Sequence, residues 1–185
     1  THPSLAVAPD GTVYLAWQNE DDGTIQIFRP DSSGTWTPDH IVPVVNGDPQ
    51  VFPALAADSQ NDIYLAYVHD QVDGALKVIH RDAATGLWSN DPGPAITDFQ
   101  SEDPPAVAID SVDNLYLTWG HGDNFGRTLE LWQRLAIDGT WSQVNTFVPQ
   151  NCGLDLTTDS GNSPYASTTN SNAEGSQSVL VNGIG

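Results

Sequence analysis

The stretch Pro3-Ser4-Leu5-Ala6-Val7 decides the fold because it returns twice along the chain. It comes back as Pro53-Ala54-Leu55-Ala56-Ala57 and as Pro105-Ala106-Val107-Ala108-Ile109, at steps of 50 and 52 residues. A period near 50 residues is typical of propeller or solenoid arrays. Each copy continues with the same marks, namely a tyrosine, a second aromatic residue, an arginine, and a glycine two residues before a tryptophan: Tyr14, Tyr64 and Tyr116; Trp17, Tyr67 and Trp119; Arg29, Arg81 and Arg134; Gly34-Trp36, Gly86-Trp88 and Gly139-Trp141.

Each copy contains four short apolar segments separated by turn residues. In the first copy Leu5–Val7 and Val13–Trp17 alternate in polarity on either side of Asp10-Gly11, and Ile25–Phe28 and Trp36–Val44 follow. Period-two alternation broken by such turns predicts strands, and four antiparallel strands per ~50 residues compose a propeller blade. We therefore predict an all-β chain of three four-stranded antiparallel blades, at 1–50, 51–103 and 104–150. Closed propellers have about 4–8 blades, so this array is incomplete as a ring.

The last segment, 151–185, has a different composition. Between Thr157 and Ser178, 15 of 22 residues are Ser, Thr, Asn or Gly, which cannot supply a packed core of its own. A short stretch of strand character, 178–182, follows. We interpret the segment as a low-complexity tail with a short terminal strand, which is either a linker with a frayed end or a strand donated to another sheet.

Charge excludes two classes of partner. The chain has 185 residues with 24 Asp and Glu against 5 Lys and Arg, a net charge of −19. Phosphate backbones and anionic membrane surfaces are bound by clustered Lys and Arg, so we expect no nucleic-acid partner and no membrane insertion. The sequence contains no Met, which indicates a processed form or a piece of a longer chain. Cys152 is the single cysteine, so it is either free or paired with another molecule.

The first copy resembles the repeats of sialidase-like propellers, known as bacterial neuraminidase or Asp-box repeats. The resemblance covers residues 1 to about 150 and includes Asp31-Ser32-Ser33-Gly34-Thr35-Trp36. The family's box is spaced Asp-x-Gly-x-Thr-Trp, and here it is degenerate in all three copies, most of all at Asp82–Trp88 and Asp138–Trp141. The resemblance implies a propeller fold. It does not select one chemistry, because enzymes and noncatalytic proteins share the repeat.

Sialidases of the resembled family clamp the substrate carboxylate with three convergent arginines. This chain has four arginines, and three of them occupy one repeated position, which predicts that they are spread one per blade and do not converge. Arg127 alone is outside the pattern. The repeated tyrosines are interpreted as structural for the same reason, since a catalytic residue differs between blades. We therefore expect no catalytic residue in this chain.

Polar residues gather in the loops after the second strands and between blades. Asn19, His69 and His121 are equivalent, each two residues past the aromatic residue that ends a second strand, and each is followed by acidic residues. Carboxylate oxygens suit Ca²⁺ or glycan hydroxyls, although solvated turns of an acidic protein would have the same composition. The predicted binding residues are Asn19, Glu20, Asp22, His69, Asp70, Asp73, Asp98, Phe99, Glu102, Asp103, His121, Asp123, Phe125 and Arg127, with Glu20, Asp22, Asp70, Asp73 and Asp123 as the predicted Ca²⁺ ligands.

These patterns lead to three functional hypotheses. The first is a noncatalytic propeller module, secreted or on the cell surface, that binds a glycan or an extracellular protein. The second is a fragment of a sialidase-like glycosidase whose arginines lie in further blades. The third is a self-assembling subunit of an extracellular filament or sheath. Open blade edges need cover, so we expect an oligomer or a larger chain.

Overall fold

The chain is all-β. A computed structural model describes residues 2–69, 75–94, 104–123, 126–147 and 154–168, and every regular element in this part is a strand. The strands form three four-stranded antiparallel sheets and one two-stranded sheet, and none of these closes on itself. The predicted fold class is therefore confirmed. The described part also contains no helix that could span a membrane. Two compact units divide the chain, residues 1–97 and 98–185, and each is described separately.

The first unit holds two sheets, called blade 1 and blade 2. Strands that are consecutive in sequence are neighbours in both. Blade 1 consists of β1 (Ser4–Val7), β2 (Val13–Asn19), β3 (Thr24–Pro30) and β4 (Trp36–Val42), and blade 2 consists of β5 (Gln50–Ala57), β6 (Ile63–His69), β7 (Leu76–Arg81) and β8 (Trp88–Asp91). The alternation of the sequence sets their register, since a shift of one residue would turn every apolar side chain to the other face.

One apolar core joins the two blades of the first unit. Blade 1 contributes Ala6, Ala16 and Ile27 from one face of its sheet, and blade 2 contributes Leu55 and Leu65 from the facing side. The alanines let β1 and β5 approach closely, and the Ser4 hydroxyl accepts a hydrogen bond from the Leu55 N–H at 2.9 Å. The repeated small residues of the first strand thus provide the contact between successive blades.

The second unit holds blade 3 and a hairpin. Blade 3 consists of β9 (Ala106–Ile109), β10 (Leu115–Asp123), β11 (Gly126–Arg134) and β12 (Trp141–Phe147), and the hairpin consists of β13 (Leu154–Thr158) and β14 (Pro164–Thr168). The hairpin lies within the segment predicted as a tail, so part of that segment is regular structure. The predicted strand at 178–182 lies outside the described residues. The blade boundaries stay predictions.

The turn between β13 and β14 has the same geometry as the turn between the first two strands of a blade. In blade 3 the Asp110 Oδ1 accepts the N–H groups of Val112 and Asn114, and the residue between them, Asp113, has φ of 66°. Asp159 does the same for two N–H groups of the hairpin turn, around Asn162 at φ 65°. Asn and Asp tolerate this left-handed conformation and hydrogen-bond to nearby backbone. The hairpin is therefore the first half of a further repeat.

In each unit, an asparagine of one such turn connects its repeat to the one before it. The Asn61 side-chain oxygen accepts the Asp10 N–H at 2.8 Å in the first unit. In the second unit the Asn162 oxygen accepts both the N–H and the hydroxyl of Ser111, at 2.9 and 2.6 Å. Each bond spans 51 residues of sequence. The same contact thus recurs at the repeat period.

Candidate functional site

The candidate site in the first unit is the loop end of blades 1 and 2. We use this name for the turn 19–24 after β2, the segment 43–50 between the blades, the bulge at Phe52 in β5, and His69 at the end of β6. Four predicted binding residues fall here: Asn19, Glu20, Asp22 and His69. The opposite end of the blades carries the turns 8–12, 31–35, 58–62 and 82–87.

The turn after β2 is held by its own polar side chains. The Asn19 carbonyl accepts the Gly23 N–H at 2.9 Å, and the Asn19 side-chain oxygen accepts the Asp21 N–H at 3.2 Å. Asp22 accepts the hydroxyl and the N–H of Thr24, at 2.6 and 3.0 Å. These hydrogen bonds, the hydroxyl's first, lower the pKa of Asp22 below its ordinary value. The exposed carboxylate is therefore fixed in place and ionised at neutral pH.

Gly23 lets this turn pack against the segment that joins the two blades. A Cβ at Gly23 would lie 3.0 Å from a Val44 methyl and 3.1 Å from the Pro49 Cβ, and the residue has φ of 72°. The Gly23 carbonyl also accepts the Gln50 N–H at 2.8 Å. Glycine alone meets both requirements, so blade 1's turn and the joining segment form one rigid rim.

The joining segment is itself a tight turn. Asn46 and Gly47 have φ of 55° and 87°, as a two-residue hairpin turn requires, and the Asp48 N–H donates to the Val45 carbonyl at 3.0 Å. Buried Gln50 donates from Nε2 to the Asp48 carbonyl at 3.1 Å. One carboxylate oxygen of Asp48, Oδ2, is buried without a hydrogen-bond partner in the described part of the chain.

His69 is buried behind the joining segment. It pairs with Gln50 in the antiparallel register of β5 and β6, and its Nε2 lies 3.4 Å from the Val45 carbonyl. The predicted binding residue therefore supports the rim from behind. The buried imidazole therefore supports the backbone of the joining segment.

Phe52 is the aromatic residue that the loop end presents. It has φ of 56°, where a bulky side chain is rare and strained, and the pairing of β5 with β6 shifts register between Val51 and Ala54. The half-buried ring meets the His2 ring edge-on, with centroids 4.7 Å apart. The bulge thus places two aromatic rings beside the first strands of both blades. Phe52 is not among the binding residues predicted in the sequence analysis.

Several predicted site residues cannot be placed. Asp70, Asp73, Asp98, Phe99, Glu102, Asp103 and Phe125 lie outside the described residues, as do the side chains of His121, Asp123 and Arg127. Within the part that is described, no three His, Cys, Asp or Glu side chains lie together in a way that could hold a metal ion. The Ca²⁺ site stays a prediction, and Glu20 and Asp22 are the described members of its ligand set.

The prediction that the repeated arginines do not converge is wrong for two of them, although they do lie one in each blade. Arg29 and Arg81 do converge, because both bind Asp39 of β4, through Nε at 2.5 and 3.1 Å. The Trp88 indole N–H donates to the same carboxylate at 2.8 Å. The two arginines meet because Asp39 is a buried carboxylate of blade 1 that faces blade 2. Its side chain is only 6% exposed. Arg81 therefore joins blade 2 to blade 1, and both arginines are paired with Asp39 rather than available to a substrate carboxylate.

Solved structures of similar shape are propeller-like proteins, several of them active on carbohydrates. A polysaccharide lyase of family PL25, an ulvan lyase, has a TM-score of 0.65 at 10% identity over 99% of this chain and 55% of its own. The endo-arabinase of Bacteroides thetaiotaomicron has a TM-score of 0.60 at 15% identity over 99% of this chain and 74% of its own. TolB from Acinetobacter baumannii has a TM-score of 0.58 at 12% identity over 98% of this chain and 41% of its own.

These likenesses establish a propeller-like fold and nothing finer, because identity is only 10–15%. The chain spans less than two thirds of the length of TolB and of the ulvan lyase. No protein-family model matches the sequence. No curated protein matches it either.

Proposed function

We propose that the loop end of blades 1 and 2 binds an uncharged glycan and does not transform it. The observation that carries the proposal is Phe52, whose ring is held against His2 by a strained bulge next to a rigid polar rim. Strained backbone is retained where the surroundings over-determine it, often at ligand sites. Sugar sites combine an apolar aromatic surface with a few fixed polar groups.

The polar groups of the rim suit sugar hydroxyls. Asp22 is fixed by Thr24 and ionised, so it accepts hydrogen bonds, and the exposed Asn46-Gly47 turn belongs to the same rim. Hydroxyls donate readily to carboxylates, and charge-assisted hydrogen bonds are the stronger ones. The carbohydrate-active proteins among the structural neighbours are consistent with this use of the fold.

Net charge selects the class of glycan. A chain of net charge −19 repels uronic, sulfated and sialic acid groups. Arg29 and Arg81, which are half of its arginines, are bound to Asp39. This argues against the alternative of a sialidase-like glycosidase, whose arginine clamp would have to be supplied by sequence beyond this chain. A neutral polysaccharide is therefore the proposed ligand, and a location outside the cell or on its surface is proposed with it.

Membership of the Asp-box repeat group is part of the same proposal. Its support is the turn between β3 and β4, where Asp31 Oδ1 accepts the N–H groups of Ser33 and Thr35 at 2.8 and 3.0 Å. Asp82 and Asp138 cap the equivalent turns by bonds to Thr85 and Thr140. The aspartate thus has one turn-capping role in all three degenerate boxes.

The test is a glycan array of neutral and acidic structures, with and without Ca²⁺, followed by calorimetric titration of the best neutral oligosaccharide. Phe52→Leu keeps an apolar side chain and removes the ring, so affinity should fall about tenfold, which is ~1.4 kcal/mol. Phe52→Tyr should keep the affinity. Trp36→Leu, which removes an exposed ring at the opposite end of blade 1, is the matched control. Binding only to acidic glycans, or equal loss in both leucine variants, would refute the proposal.

A further inference from the structure

The segment that joins blades 1 and 2 contains a chemically labile peptide bond, between Asp48 and Pro49. An aspartate carboxyl can attack its own main-chain carbonyl, because the two close a five-membered ring. The bond to proline is a tertiary amide, and its nitrogen leaves readily because proline is a basic secondary amine. The chain has two other Asp-Pro bonds, at Asp91-Pro92 and Asp103-Pro104. All three share this intrinsic chemistry, so a difference in their reactivity reports the structure around them.

The Asp48 carboxyl is available for the attack. Its Oδ2 is buried and has no hydrogen-bond partner in the described part of the chain. An acceptor that is both desolvated and unpaired is held at a cost in free energy, and bond formation relieves that cost. The Asp91 carboxylate differs, because its Oδ1 accepts the Gly93 N–H at 3.1 Å. Asp103 lies outside the described residues.

The carbonyl that would be attacked is polarised by Gln50. The Gln50 Nε2 donates a hydrogen bond to the Asp48 carbonyl oxygen at 3.1 Å, and Gln50 is only 1% exposed. A buried donor directed at a carbonyl oxygen stabilises the negative charge that develops there when a nucleophile adds to the carbon. One side chain thus supplies the nucleophile, and another stabilises the charge that the attack creates.

The backbone on both sides of this bond is fixed. The Asp48 N–H donates to the Val45 carbonyl at 3.0 Å, and the Gln50 N–H donates to the Gly23 carbonyl at 2.8 Å. Pro49 packs directly against Gly23, where a Cβ would lie 3.1 Å from the Pro49 Cβ. Holding the reacting groups in one arrangement removes an entropy cost that a free peptide has to meet. The folded chain is therefore expected to react faster than the unfolded one.

We propose that the bond between Asp48 and Pro49 cleaves itself. A carboxyl oxygen of Asp48 forms a bond to the main-chain carbonyl carbon of the same residue. The bond from that carbon to the Pro49 nitrogen breaks, its electron pair goes to the nitrogen, and the carboxyl proton follows, so Pro49 leaves as a secondary amine. One water molecule then opens the cyclic anhydride and leaves two carboxyl groups on Asp48. The products are the fragments 1–48 and 49–185.

Mild acid favours this step, because the carboxyl has to carry the proton that Pro49 receives. Other titratable groups lie on the elements that pack against the joining segment. In the part of the chain that is described they are His69 of β6, whose Nε2 lies against the Val45 carbonyl, and Glu20, Asp21 and Asp22 of the turn that contains Gly23. A control variant therefore has to change one of these charges and leave Asp48 and Gln50 intact.

The cut separates blade 1 from blade 2 in sequence but does not release it. The two blades share one apolar core, and Asp39 of blade 1 binds Arg81 of blade 2. The product is therefore a nicked chain that stays assembled, and the cut becomes visible only after denaturation. Scission needs no glycan, so its absence would leave the proposed glycan binding untouched.

The experiment is incubation of the full 185-residue chain over days at about pH 5, which lies above the ordinary aspartate pKa of about 3.9 and keeps most carboxylates ionised. Denaturing electrophoresis and mass spectrometry then measure the fragments. We expect fragments 1–48 and 49–185 to accumulate, with cleavage at Asp91-Pro92 much slower. In concentrated urea at the same pH, scission after Asp48 should be at least about tenfold slower than in the folded chain.

Four variants separate the roles of the two side chains. Asp48→Asn removes the carboxyl and should abolish the cut. Asp48→Glu would need a six-membered ring and should react more slowly, and Gln50→Met fills the same space without a donor and should slow the cut at least about tenfold. Asp21→Asn, the matched control, changes one charge in the neighbouring exposed turn and should cleave as the wild type does. Circular dichroism at the same pH checks that each variant is folded, and Asp48→Glu carries the test should Gln50→Met unfold.

Hydroxylamine added during the incubation tests the anhydride itself. It should convert part of the new C-terminal Asp48 to a hydroxamate, which direct hydrolysis by water does not produce. A chain that stays intact overturns the proposal, and so do equal rates in the folded and unfolded chain, a cut without any hydroxamate, or a Gln50→Met variant that is folded and cleaves at the wild-type rate. Deamidation of Asn46 as the sole change would overturn it too, since that reaction alters the mass without breaking the chain.

Discussion

Asp39 is a buried polar link between blades 1 and 2, and Asp39→Asn tests how much it stabilises the first unit. The carboxylate receives three donors, the guanidinium groups of Arg29 and Arg81 and the indole N–H of Trp88. The His40 ring stacks on Trp88 with centroids 5.2 Å apart. Asparagine has the same shape but only one accepting oxygen, and its NH₂ group would face donors. The substitution therefore leaves buried donors unpaired.

The magnitude follows from burial. Arg81 is 9% exposed and Arg29 is 39% exposed, so the Arg81 pair dominates and the Arg29 pair is discounted for solvent screening. Removing one partner of a buried ion pair costs about 3–5 kcal/mol, and the partial exposure of Arg29 favours the lower end, ~3 kcal/mol. For a chain of this length each 1 kcal/mol lowers Tm by about 2–4 °C. We therefore expect Asp39→Asn to lower Tm by roughly 6–12 °C.

The assay is urea unfolding followed by tryptophan fluorescence, with thermal unfolding by circular dichroism beside it. Asp21→Asn is the matched control, because it makes the same charge change in an exposed turn, and it should stay within about 0.5 kcal/mol of the wild type. Arg81→Met should cost more than Arg29→Met, in the order of their burial. If Asp39→Asn unfolds at the same urea concentration as Asp21→Asn, the carboxylate does not hold the blades together.

Three further outcomes are expected. Hydrogen bonds from Ser33 and Thr35 lower the pKa of Asp31 in the folded chain. The ionised Asp31 therefore stabilises the fold fully above its unfolded pKa of about 3.9, and this stabilisation is lost as the pH falls through the lower folded pKa. Tm measured from pH 7 to 3 should fall more steeply for the wild type than for Asp31→Asn. Asn162→Gly keeps the left-handed turn but removes the bonds to Ser111, so unfolding should cost about 1 kcal/mol less, as urea titration would show. Leu65→Ala should cost about 2–5 kcal/mol because Leu65 is buried, whereas Leu15→Ala should cost clearly less because Leu15 is only partly buried; urea unfolding of the two variants would show the difference.

The repeat made the sheets predictable. Alternating residues of the first two strands recur with their turns, and each recurrence proved to be a strand. The hairpin β13–β14 was missed because its Ser, Thr, Asn and Gly content suggested a linker. A signal was present, since Asp159 precedes Tyr165 by six residues, as Asp110 precedes Tyr116. Spacing was thus a better guide here than composition, because turn geometry depends on position.

The Asp39 contact could have been suspected from spacing as well. An aspartate stands three residues after Trp36 and again three residues after Trp88. What no spacing reveals is that Asp39 turns toward blade 2, where it binds Arg81 as well as Arg29 of its own blade. Because each blade has one such arginine, the sequence suggested that the arginines lie far from one another. Blades packed side by side instead bring a residue on the near face of one into reach of the other, so equivalent residues meet at a shared contact.

The candidate binding residue Phe52 lies further from sequence reasoning than any strand does. Phe52 is a candidate binding residue because its φ is 56° and because it lies in a β-bulge. The sequence Val51-Phe52-Pro53 predicts neither feature. The repeated residues recur because every blade must pack against a neighbour. They therefore predict the fold but do not identify a binding site. Residues that bind a ligand break the repeat, and a broken repeat has no second copy for comparison. Function in such an array is therefore read from the departures, and a departure acquires meaning only once the backbone around it is known.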